Sequence, residues 1–285
     1  MAVATSDSVL LDGGLVATIE RDRWQPDRYE LVVGGTPQSS VNPSDPTDLA
    51  FEYIARIGHV IDSLGEPGSP ITAVHFGAGA LTLPRYIAWT RPGSRQQVVE
   101  LERALVDLVR ERLPLPKQAS IRIRYGDARE VAEHLPEGLV GAADLVVVDV
   151  FAGARIPPQV TSVEFYRLAA RLLDPGGVLV VNVADGTGLP FARSQLATVR
   201  AVLPAVVAIA EPQVLKGRRF GNVVIVASER PRPLDWLPRL LAAGPHPAQA
   251  VDGDSLATLV GGTPVVTDAT ATGSPEPDRG LFLER

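Results

Sequence analysis

The chain has no cysteine, which excludes disulfides, thiolate nucleophiles and cysteine-ligated metal sites. Lysine is confined to Lys117 and Lys216, and no basic cluster exceeds residues 216–219. With a net charge of -6 the chain offers no phosphate-tracking face, so nucleic acid is not an expected partner. No apolar run reaches about eighteen residues, so no membrane-spanning helix is expected. The first residues, MAVATSDSVLL, lack the basic start of a secretory signal, and the expected location is cytoplasmic. What the chain does have is apolar sequence. Hydrophobic residues make up 45% of its 285 positions, enough for a sizeable core in one large domain, with or without a small appendage. The acidic balance suits a cationic small molecule better than an anion.

Residues 1–48 read as β-strand and turn. LVATIERD and RYELVV flank RWQPD as a hairpin, and GGTPQSSVNPSDP reads as a turn region that closes this part. Phe51, Ile54, Ile57, Ile61 and Leu64 recur at helical spacing over 49–64. Apolar strands are expected at 71–76, 96–101, 120–127, 143–150, 176–183, 205–211 and 222–228, with helical sequence after each of the first five. Near-continuous apolar strands imply a sheet covered on both faces. The expected fold is α/β: a doubly wound, Rossmann-like sheet of about seven strands. The chain divides into an N-terminal β region (1–48), a central α/β domain (49–228) and a C-terminal part (229–285). That last part holds a short helix (236–243) and Pro/Gly/Thr-rich sequence whose end reads as loosely ordered.

Ligands of such sheets bind outside the carboxyl ends of the strands. The first strand ends in Gly77 and Gly79, the second in Glu100, the third in Asp127, the fourth in Asp149 and the fifth near Asn182 and Asp185. A carboxylate about twenty residues after a glycine turn suits a ribose diol. A further acid one strand later suits an adenine amino group, although Asp127 reads equally as a helix cap. Together these features describe an adenosine site. A dinucleotide fits less well, because Thr82 stands where a third glycine belongs and Pro84 sits in the first turn of the helix. A sulfonium nucleoside, which has no phosphate, fits better.

At these residues the chain resembles the spermidine synthase (polyamine aminopropyltransferase) family, built on the class I S-adenosylmethionine-dependent methyltransferase fold. VVGGTPQSS resembles its LDGxxQ stretch and places Gln38 on the glutamine. AFEYIARIGHV resembles YHExLxHV and places Tyr53 on the tyrosine. VHFGAGAL resembles IGGGDGG. VVELE resembles VEID and places Glu100 on the ribose-binding acid. YGDARE resembles GDGxxF and places Asp127, with Ala128 beside it, on the adenine-binding acid. DLVVVDVFAG resembles DVIIxDSxDP and places Asp149 on the catalytic aspartate.

The resemblance implies Asp149 and Tyr53 as catalytic residues, with Gln38, Gly77, Gly79, Glu100, Asp127 and Ala128 around the donor. The donor would be decarboxylated S-adenosylmethionine or S-adenosylmethionine itself, with no metal. The acceptor would be a small amine or another small molecule, and the protein a homodimer or higher homo-oligomer. Four positions depart from the family pattern. Ala80 and Ala152 stand where it has aspartates, and Ile54-Ala55 stand where it has His-Glu or Gln-Glu. The nucleoside half is kept while the amine half has lost polar groups. This leaves three readings open: an aminopropyltransferase with an altered acceptor, a methyltransferase, and a non-catalytic nucleoside-binding or scaffold protein. His59 and His75 read as structural. Asp185, Arg85, Arg155 and Arg218 are secondary candidates for holding an amine or a carboxylate.

Overall fold

The computed structural model describes residues 7–231, 237–243 and 246–276. The chain begins with an antiparallel meander of β1 (Ser8–Leu10), β2 (Val16–Arg21), β3 (Tyr29–Val33) and β4 (Thr36–Val41). The expected hairpin is β2–β3. The GGTPQSSVNPSDP segment, however, is not all turn: Gly34-Gly35 reverse the chain and its NPSDP end is bend and turn, but TPQSSV between them forms β4. Pairing with β3 overrides the turn-like composition. Pro37 is tolerated because β4 is an edge strand and a bulge lies between Leu31 and Val32, opposite it.

Helix α1 (Glu52–Asp62) follows, with Ile54, Ile57, Val60 and Ile61 buried on one face. Of its polar residues Arg56 is buried as well, and Glu52, Tyr53, His59 and Asp62 are part-buried. Then strands and helices alternate: β5 (Thr72–Phe76), α2 (Thr82–Thr90), β6 (Arg95–Glu100), α3 (Arg103–Arg112), β7 (Ser120–Tyr125), α4 (Ala128–Glu133), β8 (Ala143–Val148), α5 (Val163–Ala170), β9 (Leu173–Asp185) and α6 (Pro190–Arg200). The sheet is completed by β10 (Ala205–Ala210), a short α7 (Pro212–Leu215), β11 (Gly221–Ser228), α8 (Leu237–Ala242), β12 (Gln249–Val251) and α9 (Gly253–Val260).

Eight strands pair in the order β12-β10-β11-β9-β8-β5-β6-β7. Neighbours from β9 to β7 are parallel, whereas β11 runs antiparallel to both β9 and β10. The doubly wound sheet is therefore as expected, with β12 as an added edge. Alternation within single strands shows why both faces are covered. Val74, Phe76, Val146 and Val148 point into one apolar layer, and Ala73, Leu145 and Val147 into the other. Burying one such side chain contributes roughly 1.5–3 kcal/mol. A third layer fixes the N-terminal meander. Ala17, Ile19, Leu31 and Val33 pack with Leu105, Val106 and Val109 of α3 and with Leu81.

The C-terminal part is more regular than its composition suggests. β12 extends the sheet and α9 packs on α6 and β10. The expected helix at 236–243 is α8, with Trp236 outside the described residues. Beyond α9 the irregular chain straps the loop after β8. The Ser274 amide donates to the Ile156 carbonyl (3.1 Å), and the Ile156 amide donates back to Ser274 Oγ (2.9 Å). Asp268 accepts two hydrogen bonds from Arg129, at 2.8 and 2.9 Å, and one from Ser162 Oγ. The chain end that the sequence leads one to expect as loosely ordered falls outside the described residues, which stop at 276.

Candidate active site

The strand order reverses between β5 and β8, and such a switch point opens a crevice at the carboxyl edge of the sheet. Here the crevice is a cavity of about 450 Å³, a size usual for a small-molecule site. It gathers all eight residues singled out in the sequence: Gln38, Tyr53, Gly77, Gly79, Glu100, Asp127, Ala128 and Asp149.

The glycine turn is where backbones crowd. Gly77 has φ +95°, and a Cβ there would lie 2.0 Å from the Asp149 carbonyl oxygen. Only glycine lets the ends of β5 and β8 press together. The Asp149 amide donates to the Phe76 carbonyl (2.9 Å), so the carboxylate leaves the sheet from a fixed backbone. At Gly79 (φ +48°) a Cβ would meet Ser39 Oγ at 2.4 Å. That contact brings β4 onto the turn. Gln38, next along β4, donates from Nε2 to the Gly153 carbonyl (3.2 Å) and so joins the N-terminal sheet to the loop after β8.

Glu100 ends β6. Its Oε2 accepts from the Ala78 amide and its Oε1 from the Glu102 amide, both at 2.9 Å. Burial raises its pKa, against the lowering effect of those amides. Asp127 caps α4. Its Oδ1 accepts from the amides of Arg129 (2.8 Å) and Glu130 (3.3 Å), and its Oδ2 from Gln159 Nε2 (3.0 Å). The capping role and a place on the cavity wall are both realised in this one side chain.

Asp149 is held differently. Its Oδ1 accepts from Asn182 Nδ2 (2.8 Å), and Asn182 Oδ1 accepts from Asn222 Nδ2 (3.0 Å). The Tyr53 phenol is its other hydrogen-bonding neighbour. Burial pushes the Asp149 carboxyl up to about 6, although Asn182 and Tyr53 both stabilise its anion. Burial, and then the Asp149 charge, hold the Tyr53 phenol well above its ordinary value.

The secondary candidates separate cleanly. His75 lines the cavity but is buried beside Gln96, with Nε2 3.0 Å from Oε1. The Gln96 amide is oriented by donating to the Pro84 carbonyl, so His75 Nε2 is the donor in that pair. Burial lowers its pKa to about 4, leaving it neutral. Asp185 serves the start of α6, accepting from the amides of Gly186 and Ala192. Arg85 spends its guanidinium on the carbonyls of Ala80, Leu113 and Pro114, and Arg155 donates to the Ser274 carbonyl. Arg218 is exposed, and His59 is half-buried on α1. None of these five lines the cavity. The sequence reading passed over Asn222 and Gln159 and gave Asn182 no role. An asparagine inside the run VLVVNV was the available signal, because a buried amide needs partners.

A doubly wound sheet of this strand order, with a glycine turn after β5 and acids at the ends of β6, β7 and β8, is a fold of the methyltransferase type. Over nearly its whole length the chain is similar to a crystal structure of a probable spermidine synthase from Corynebacterium glutamicum ATCC 13032. The identity is 33%, the match covers 93% of this chain and 97% of that one, and the TM-score is 0.83. The chain belongs to the spermidine synthase family. Among curated proteins it is 30% identical over 120 residues to a probable polyamine aminopropyl transferase of Bifidobacterium longum, covering 41% of this chain and 26% of that protein. It is 28% identical over 156 residues to the polyamine aminopropyltransferase of Chromobacterium violaceum, covering 53% and 56%. The chain thus spans about half the length, or less, of the curated relatives it matches. No family model matches it.

Proposed function

We propose that this chain transfers an aminopropyl group from decarboxylated S-adenosylmethionine to an amine. The observation that carries this reading is the charge of the cavity wall. Its carboxylates are Glu100, Glu102, Asp127 and Asp149, and no Lys or Arg stands among its described lining residues. A wall of that sign favours a donor carrying a sulfonium and an ammonium. It offers no counter-ion to the carboxylate that ordinary S-adenosylmethionine retains. The names of the curated relatives support the same transfer over methyl transfer.

In this reading Asp127 and Ala128 meet the adenine, Glu100 accepts from the ribose diol, and Gly77 and Gly79 let the donor arm pass close to the backbone. Neighbouring strands lie about 4.8 Å apart, so the nucleoside lies across β5 to β7 and Asp149 stands at the far end of its arm. The acceptor arrives as an ammonium. Asp149 takes one of its protons, and proximity to the sulfonium lowers the ammonium's pKa toward that of the carboxyl. The neutral nitrogen then attacks the methylene carbon bound to sulfur. A C–N bond forms, the C–S bond breaks with its electron pair going to sulfur, and neutral methylthioadenosine leaves. The positive charge ends on the new secondary ammonium, and Asp149 returns its proton to solvent. Tyr53 and Asn182 hold the carboxylate in place.

Incubating the purified protein separately with each donor, a pooled amine panel and a no-protein control tests this by mass spectrometry. The expected products are methylthioadenosine and an aminopropylated amine, from the decarboxylated donor alone. S-adenosylhomocysteine from the ordinary donor would replace this reading with a methyltransferase. Nucleoside binding without either product would replace it with a binding protein.

A further inference from the structure

Building on the aminopropyltransferase reading, we infer that the acceptor is an amine with one cationic end and an apolar remainder, not a diamine. The inference comes from what each acid on the cavity wall is already holding. Both Glu100 oxygens accept backbone amides, as do both oxygens of Glu102, from Asp12 (2.9 Å) and Gly13 (3.2 Å). Both Asp127 oxygens accept as well, from the start of α4 and from Gln159, and in the reading above the remaining acceptor capacity of Glu100 and Asp127 goes to the nucleoside. These acids end or follow β6 and β7, two and three strands from β8, which is roughly 10 and 14 Å along the sheet.

Around Asp149 the wall is different. From α1 it takes Tyr53 and Ile54, from the following loop Val150, Phe151, Ala152 and Gly153, and from β4 the uncharged Gln38, whose amide bonds the Gly153 carbonyl. Asp149 is the one carboxylate there among the described residues, and its named partners, Asn182 and Tyr53, are uncharged. One anion serves one ammonium. A second ammonium on the same substrate would face Ile54, Val150 and Phe151 with no counter-ion, and an unpaired charge against an apolar wall is strongly disfavoured. A methyl group in its place gains contact area instead.

The pair n-pentylamine and 1,4-diaminobutane isolates this difference, because a methyl replaces the second ammonium on a chain of the same length. Calorimetry on protein saturated with methylthioadenosine reads amine affinity without needing turnover. We expect n-pentylamine to bind at least tenfold more tightly than 1,4-diaminobutane. Ala152→Asp, a change at an exposed loop position, is expected to narrow or invert that ratio. A competition reaction with the decarboxylated donor and equal amounts of both amines is expected to give mainly the pentylamine product. Tighter binding of the diamine by the unaltered protein, with the nucleoside bound, overturns the inference and leaves the aminopropyltransferase reading standing. Failure to bind methylthioadenosine at all overturns both.

Discussion

The two ends of the cavity hold their carboxylates by different means. At β6 and β7, Glu100 and Asp127 accept mainly from backbone amides, which neither move nor titrate. At β8, Asp149 rests on side chains alone, the Asn182–Asn222 pair and the Tyr53 phenol. Burial raises both Glu100 and Asp149; at Glu100 backbone amides oppose the rise, whereas Asp149 has no backbone donor and is pushed up to about 6. Acids fastened by amides serve as fixed acceptors for neutral hydroxyl and amino groups. An acid fastened by side chains near neutrality can exchange a proton with its ligand.

Asp149→Asn breaks this contrast most severely. Turnover is expected to fall about 10²- to 10⁴-fold, the range for losing a general base, while methylthioadenosine affinity changes little. Its pH behaviour separates the two ends further. In the folded protein the Asp149 carboxyl lies above its ordinary value of 3.8, so its contribution to stability is full below about pH 4 and is lost as pH rises through about 6. At pH 7 the ionised side chain therefore opposes folding. Asp149→Asn is expected to raise the melting temperature there, by at most about 3 kcal/mol of stability, with the gain vanishing at pH 4. Activity runs the other way: kcat/KM should fall tenfold per pH unit below about 6. A profile flat from pH 5 to 7 would remove Asp149 from the proton's path.

Glu100→Gln tests the fixed end. It keeps the shape but presents an amide where Ala78 and Glu102 now donate. Nucleoside binding is expected to weaken by about 1.5–3 kcal/mol, roughly ten- to a hundredfold. The low-pH limb should stay near 6, because Glu100 takes no proton from the amine. Unchanged affinity by calorimetry would place the ribose elsewhere.

A smaller effect is expected at Asn182→Ala. It removes an amide that lowers the Asp149 pKa, so the limb should move above 6, with a few-fold loss of kcat at pH 6.5 and little change at pH 8. An equal loss at both pH values would mean that Asn182 merely supports the strand.

The strand ends were legible because Gly77, Glu100 and Asp149 follow apolar residues and Asp127 follows a strand alternating Ile with Arg, and the alternation of strands with helical sequence fixes which edge they share. Glu100, Asp127 and Asp149 needed nothing more to be placed together. Strand β4 was not legible, since Thr36–Val41 pairs through its backbone with β3 despite turn-like residues. The strap at 266–276 was hidden for the same reason: Ser274 and Asp268 act on Ile156 and Arg129 across more than a hundred residues of chain. Long-range partners of this kind leave no periodicity to read.

Arg56 lies three residues along α1 from Tyr53 and sets a limit on how far charge reaches toward Asp149. It is only 3% exposed, none of its three guanidinium nitrogens has a hydrogen-bond partner among the described residues, and the Glu52 carboxylate lies 3.5 Å away. Burial lowers its pKa, against the attraction of Glu52 and Glu211. A buried donor left unsatisfied costs about 1–3 kcal/mol, and an apolar side chain of similar length removes that cost. Arg56→Met is therefore expected to raise the denaturation midpoint, by about 1 kcal/mol of stability, because Glu52 keeps access to solvent. If the Asp149 value is set by its own burial and its two neighbours, the limb near pH 6 will not move in this variant. A limb displaced upward would show that Arg56 holds part of the Asp149 charge in place, and the side-chain-fastened end would then extend one helical turn further along α1.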